Sequence, residues 1–267
     1  MTGAILRRAI AIAGAAVLLV TAILWVVTPS GDHLQARVVN LVQREHAVLL
    51  QPGQVPPLLA EAVVSVEDER YYQQHGIDVA GLGRAALFDL THACLCQGGS
   101  TITEQLVKDV YLNGNDRGPQ KLVDLMLAVK VELVYDKQQI LADYLSEIPV
   151  GGGRYGMVAA ACAYFGQPLD RLTLGEAALL AGLPQAPNIY DPRRNPSEAA
   201  LRRQVVLNAM QEGGLITPAQ VAAARASPVI LQGGSDVHSC GAGSPADPGS
   251  PAAAPLSAGQ GARATRP

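Results

Sequence analysis

The chain has 267 residues, 49% of them hydrophobic and 16% charged, with a formal net charge of −3. That length accommodates one sizeable domain with appendages, and the balance lacks the basic face that a nucleic-acid binder needs. Aromatic residues make up only 4% while Ala, Leu and Val abound, which favours helix over sheet.

Residues 9–27 carry no charge and are almost wholly apolar, with Trp25 near one end. A helix of that length spans about 28 Å, close to the hydrocarbon thickness of a bilayer. Arg7 and Arg8 precede it. The positive-inside rule therefore puts residues 1–8 in the cytoplasm and everything after the span outside. A cleaved signal peptide, whose apolar region is usually about 7–15 residues, is the competing reading. Residues 28–46 read as a connector, with one mixed helical or extended piece around residues 34–50.

Pro56-Pro57 opens a helix, since proline is tolerated in a first turn. Leu59, Val63 and Val66 form its apolar stripe, which runs into Glu67-Asp68-Glu69-Arg70-Tyr71-Tyr72-Gln73-Gln74-His75-Gly76. Residues 78–90 read as a further helix and residues 91–99 as a loop. Gly98-Gly99-Ser100-Thr101 then leads into a helix ending near Leu112. Thr101 with Glu104 has the capping-box pattern. A helix start of this kind offers unpaired N–H groups and partial positive charge to an anion such as phosphate. Lys108, one turn beyond Glu104, is expected to share its face as an i,i+4 partner.

After a polar turn, Pro119 begins a long helix with Leu122, Leu125, Met126, Val129 and Leu133 at core spacing and Lys121 and Asp124 near its start. Asp136 with Gln139 marks the next N-cap. Residues 151–156 form a glycine-rich loop without the strand or GxGxxG spacing of a dinucleotide site. Residues 159–164 read as a small-residue helix ended by Gly166. Further helices start at the Thr173/Glu176 capping box, at Asn195-Pro196 and at Thr217-Pro218. From Gly233 the chain is Gly, Ser, Ala and Pro without periodicity. It cannot bury enough apolar surface to offset ordering entropy, so residues 233–267 are expected to be a disordered tail. Of the cysteines, Cys94, Cys96, Cys162 and Cys240, none has zinc-like CxxC spacing, and sequence leaves their pairing open.

Three features carry the chemistry. Glu67 borders an apolar stripe, and a shielded carboxyl with a raised pKa can act as acid or base. Glu69, by contrast, is expected to be solvated or paired with Arg70. The Ser100/Thr101 helix start with Lys108 suits an anion, and Lys121-x-x-Asp124 adds a second charged group.

Glu67 to Asp78, followed by Gly98 to Lys108, resembles the first two signature motifs of the peptidoglycan glycosyltransferases, the polymerase domains of class A penicillin-binding proteins and their monofunctional relatives. The similarity continues through Lys121, residues 140–145, Tyr155-Gly156, residues 159–166, residues 172–176, residues 181–187 and Arg202-Arg203. The resemblance covers about residues 47–215 and is closest to the monofunctional type, which implies a glycosyltransferase domain over residues 47–232. The implied fold is mainly α: a lysozyme-like two-lobed helical domain with an N-terminal transmembrane helix.

The activity implied is polymerisation of lipid II into glycan strands, with inversion and release of undecaprenyl pyrophosphate. By the same resemblance Glu67 and Asp124 are catalytic. Asp68, His75, Ser100, Thr101, Thr103, Glu104, Gln105, Lys108, Arg117 and Lys121 bind substrate. No obligatory cofactor and no metal ligands are implied, although a divalent cation, Mg or Mn, is compatible. The partners implied are lipid II, the growing glycan strand and the membrane, with other cell-wall synthesis proteins as candidates. The location implied is the bacterial cell membrane, with one span and an extracytoplasmic catalytic domain.

Departures from the family pattern cluster near the leaving group. Gln120 stands for an Arg and Asp124 for a Glu one methylene longer. Asp116 stands for an Arg, with Arg117 adjacent, and Glu104 stands for a Gln. Residues 146–151 also replace the common Asn-x-x-Tyr-x-Gly. These changes keep two alternatives open: a catalytically weakened relative that binds lipid II or cell-wall synthesis partners, and lysozyme-like glycan cleavage by a carboxylate pair.

Overall fold

The computed structural model describes residues 2–92, 99–114, 118, 120–232 and 240. Its first helix, α1 (Thr2–Val27), begins earlier than the apolar run and includes Arg7 and Arg8. It is long and apolar enough to cross a membrane, with none of its apolar window buried by the rest of the protein.

Lys130 closes the far end of α1. Its ammonium donates to the carbonyls of Trp25 at 2.6 Å, Thr28 at 2.8 Å and Pro29 at 3.3 Å. It also sits 5.0 Å from the centre of the Trp25 ring. A cation on the last carbonyls of a helix satisfies groups that have no partner within the helix. Gly31 follows where a Cβ would lie 2.7 Å from the Lys130 carbonyl oxygen, and Tyr135 donates its hydroxyl to the Asp32 carbonyl at 2.7 Å. Lys130→Met is expected to lower stability by about 1–2 kcal/mol. A thermal melt of the full chain in detergent reads this, and Lys130→Arg is expected to recover most of the loss.

The stretch read as a connector contributes one apolar stripe to the core. Helix α2 (Leu34–Arg44) buries Leu34, Val38 and Val42. Its period-3.6 spacing is amphipathic, and it packs on two later helices described below.

Helix α3 (Pro57–Glu67) starts at the proline pair and buries Leu59 and Val63. The chain then turns through residues 68–78 into α4 (Val79–His92). Helix α5 (Ile102–Leu112) has Thr101 as N-cap, its hydroxyl accepting from the Glu104 amide, and ends on Asn113 in the left-handed region. The capping box is half formed, because the Glu104 side chain turns to a different partner.

Helix α6 (Gln120–Glu132) buries Asp124, Leu127, Ala128 and Val131. The expected core stripe is therefore rotated: Leu122 is 48% exposed and Leu133 71% exposed. The helix is turned so that Lys121 meets the buried Glu104 of α5 at 2.6 Å, with Asp124 beside the same ammonium at 2.9 Å, and the displaced apolar side chains lie on the outer surface of a helix that packs beside α1.

Helix α7 (Lys137–Glu147) is capped by Asp136, which accepts from the Gln139 amide at 2.8 Å. The glycine-rich loop is a tight hairpin of β1 (Pro149–Gly151) and β2 (Arg154–Tyr155), with Gly152 and Gly153 both at positive φ. Then come α8 (Met157–Phe165), which ends on Gly166 at φ 64, and α9 (Leu174–Gly182), opened by the full Thr173/Glu176 capping box. Helices α10 (Pro196–Glu212) and α11 (Pro218–Ala226) complete the order. The fold is mainly α, as expected.

Packing falls into two groups. Helices α3, α9 and α10 lie together, while α5 packs on α6, α7 and α2. Helix α8 touches both α7 and α9 and joins the groups. A disulfide links Cys162 of α8 to Cys240. Cys94, Cys96 and, apart from Cys240, the expected tail lie outside the described residues.

Candidate active site

Glu67 is the last residue of α3, and it reaches across the two helix groups. Its Oε2 accepts from Gln105 Nε2 of α5 at 3.0 Å. Its Oε1 accepts from Arg202 Nη2 of α10 at 3.3 Å. The side chain is only 9% exposed. Burial raises its pKa, and the Gln105 hydrogen bond, Arg202 and Lys108 only partly oppose that effect. A carboxyl raised in this way holds and releases its proton at higher pH than a solvated one does.

Gln105 is itself fixed: its Oε1 accepts from the buried Tyr144 hydroxyl at 3.1 Å. An amide that accepts from Tyr144 must present its NH₂ to Glu67, so one residue orients the carboxyl. Arg202 is held by its Nε, which donates to the Gly182 carbonyl at 3.2 Å. Gly182 allows this approach, because a Cβ there would meet the Arg202 Cγ at 2.8 Å.

Glu67 and Asp68 open into a cavity of about 390 Å³ whose walls include Arg70, Arg84, Ser100 and Thr101. Asp68 is buried and pins the wall together. Its Oδ2 accepts from the Ile102 amide at 3.1 Å and from Gln74 at 3.0 Å. Burial pushes its pKa up to about 6 despite those bonds. Asp68→Ala is expected to cost about 2 kcal/mol by leaving a buried amide without a partner, which a denaturant titration reads. Thr101 adds to the same seam, donating to the Gly76 carbonyl at 2.8 Å. Arg70 is bound to Asp78 through both Nε and Nη2, and that pairing lowers the Asp78 pKa against the opposing effect of burial. Glu69 is exposed beside it.

The expected Glu104–Lys108 pair does not form. Glu104 is fully buried, and its partner is Lys121 of α6 at 2.6 Å. The same ammonium donates to Asp124 Oδ2 at 2.9 Å and to Ser100 Oγ at 3.0 Å. Burial works against the Lys121 charge, but its hydrogen bonds to the two carboxylates outweigh that and raise its pKa. Lys108 is partly exposed; its ammonium lies 3.9 Å from Asp109 and close enough to Glu67 to lower that group's pKa.

The structure thus gathers Glu67, Asp68, Ser100, Thr101, Glu104, Gln105, Lys108, Lys121 and Asp124 around one seam. Two expected residues stand apart. Thr103 is buried with its hydroxyl donating to Glu132 on the α6 side, and His75 is exposed on the loop between α3 and α4. Arg117 lies outside the described residues. Two residues that sequence reasoning gave no role hold Glu67 in place: Arg202 directly and Tyr144 through Gln105. Both stand within stretches that carried the family resemblance, which was the available signal.

A Transglycosylase family model matches residues 34–211. Penicillin-binding protein 1A of Vibrio cholerae is 43% identical over 181 residues, covering 68% of this chain and 22% of its own length. The protein of that name from Aquifex aeolicus is 40% identical over 178 residues, covering 67% and 24%. The one from Escherichia coli is 41% identical over 167 residues, covering 62% and 20%. The chain therefore spans less than a quarter of the length of these relatives.

Proposed function

The chain belongs to the transglycosylase family, and from that premise we propose that it polymerises lipid II into peptidoglycan glycan strands. The observation that supports this most is the placement of a shielded carboxyl, Glu67, between Gln105 and Arg202 at the edge of a cavity walled by the Ser100/Thr101 helix start. In the proposed step the Glu67 carboxylate takes the proton from the 4-hydroxyl of the acceptor sugar. The freed oxygen attacks the anomeric carbon of the donor, the bond from that carbon to the diphosphate breaks, and undecaprenyl pyrophosphate leaves with inversion.

The leaving diphosphate gains negative charge as the bond breaks, and preorganised donors and cations lower the barrier to that change. Lys108, Lys121 and the N–H groups at the start of α5 would supply them. Asp124 bonds to Lys121 and would act through it. No three His, Cys, Asp or Glu side chains converge as a ligand set among the described residues, and the step above is routed through the chain's own groups.

In this reading α1 spans the bilayer with residues 1–8 in the cytoplasm, and the helical domain works outside. Exposed Leu133 and Val134, which follow Lys130 at the end of α6, would then face the lipid surface where the donor resides. Full chain incubated with lipid II should yield β-1,4-linked glycan strands and one undecaprenyl pyrophosphate per bond formed. Binding without polymer would support a weakened relative, and sugar release from intact sacculi would support glycan cleavage; either result would contradict the proposal.

A further inference from the structure

An ammonium group has three N–H donors and no acceptor. In Lys121 all three have an acceptor within the protein: Glu104 Oε2 at 2.6 Å, Asp124 Oδ2 at 2.9 Å and Ser100 Oγ at 3.0 Å. The cation nearest the Ser100 helix start is thus fully engaged before any ligand arrives. The side chain is still 31% exposed, so the ammonium can be reached from outside.

Glu104 is the odd member of this cluster. It is fully buried, and its second oxygen, Oε1, has no hydrogen-bond partner among the described residues. A buried carboxylate served on one oxygen only is costly, because its desolvation is incompletely offset. Two carboxyls against one ammonium also leave negative charge beside a helix start whose N–H groups suit an anion. The charges facing Glu104 are Lys121 and Asp124, both from α6, and the Thr101 backbone N–H also favours its ionised form, while the Thr101 hydroxyl accepts from its backbone amide at 3.1 Å. Burial raises the Glu104 pKa despite Lys121, consistent with a poorly compensated charge.

We propose that Glu104 sets the affinity of this site for the substrate's diphosphate by competing for Lys121. Removing its charge, while leaving its shape, loosens the hold on Lys121 and takes away a repulsive neighbour of the ligand, and an apolar side chain in its place also frees one Lys121 N–H. The inference rests on the reading of the site as one for a lipid-linked diphosphate, and it makes Glu104 a residue that tunes binding through Lys121 and does not itself touch substrate.

The test is calorimetric titration of the full chain in detergent micelles with undecaprenyl pyrophosphate, a readout independent of turnover. Glu104→Gln is expected to bind roughly tenfold tighter than wild type, the order expected for removing one like charge at close range. Glu104→Met, which also removes the charge, is expected to tighten binding in the same direction. The gain should vanish in a Lys121→Met background, because the effect passes through that ammonium. A merely damaged site does not bind more tightly. Unchanged or weaker binding in both variants with the melting temperature preserved would overturn the inference. So would failure of both to fold, since the carboxylate would then be structural. If Glu104→Gln binds more tightly yet neither it nor wild type makes glycan, the inference stands and the polymerase reading fails.

Discussion

Glu67→Gln is expected to reduce glycan polymerisation by about a thousandfold while leaving the affinity for lipid II within a factor of about three. A positioned general base typically contributes about 10²- to 10⁴-fold. The substitution keeps the volume of the side chain and one carbonyl oxygen, which can still accept from Gln105 or Arg202, but it cannot take a proton. Because Glu67 touches both helix groups through Gln105 and Arg202, its loss also has to be separated from damage to the fold. A melting temperature within a few degrees of wild type, together with retained lipid II binding, makes that separation. A variant that still polymerises at a tenth of the wild-type rate or better would remove Glu67 from the chemistry.

Arg202→Met is expected to move the acid limb of the activity profile to higher pH. The sign follows from the charges. Burial already raises the Glu67 pKa, while Arg202 is one of the groups that oppose the rise. Without the guanidinium, the ionised form loses a partner and the pKa climbs further. The base works only when ionised, so activity on the acid side falls and returns as pH rises through the new pKa. Each tenfold weakening of the Glu67 acid would cost roughly tenfold in rate on the acid limb and little at high pH. A kcat/KM profile over pH checks this. Arg202→Lys should fall between the two, since an ammonium keeps the charge but loses the two-point hold on Gly182 and Glu67. A loss equal at every pH would mean that Arg202 acts only on the fold.

Much of this was legible in the residues themselves. The N-caps at Thr101, Asp136 and Thr173 were readable because each places a short polar side chain ahead of an apolar period. All three hydroxyls or carboxyls accept the amide three residues on. The shielding of Glu67 could be inferred from the stripe Leu59, Val63 and Val66 that precedes it.

What could not be read was which charge meets which across the fold. Glu104 has Lys108 one turn away on its own helix, yet it pairs with Lys121 of α6. Local periodicity ranks neighbours within a helix and is silent about those brought in from another. Helix α6 is turned so that Lys121 meets Glu104 of α5, which buries Asp124 and exposes Leu122, against a pattern that pointed the leucines inward. Arg202 follows Glu67 by 135 residues, a separation at which only the folded α3–α10 packing creates the contact. The mixed helical or extended piece read around residues 34–50 is helix over Leu34–Arg44, and its stripe Leu34, Val38 and Val42 is buried in the core.

In the proposed reaction Glu67, a buried carboxyl, acts in its ionised form, and the dependence of kcat/KM on pH for lipid II polymerisation addresses that directly. Wild type should show a one-proton acid limb with its midpoint above the ordinary carboxyl value of 4.5, and the residual rate of Glu67→Gln should be flat over the same range. An acid limb that persists unchanged in Glu67→Gln would contradict it.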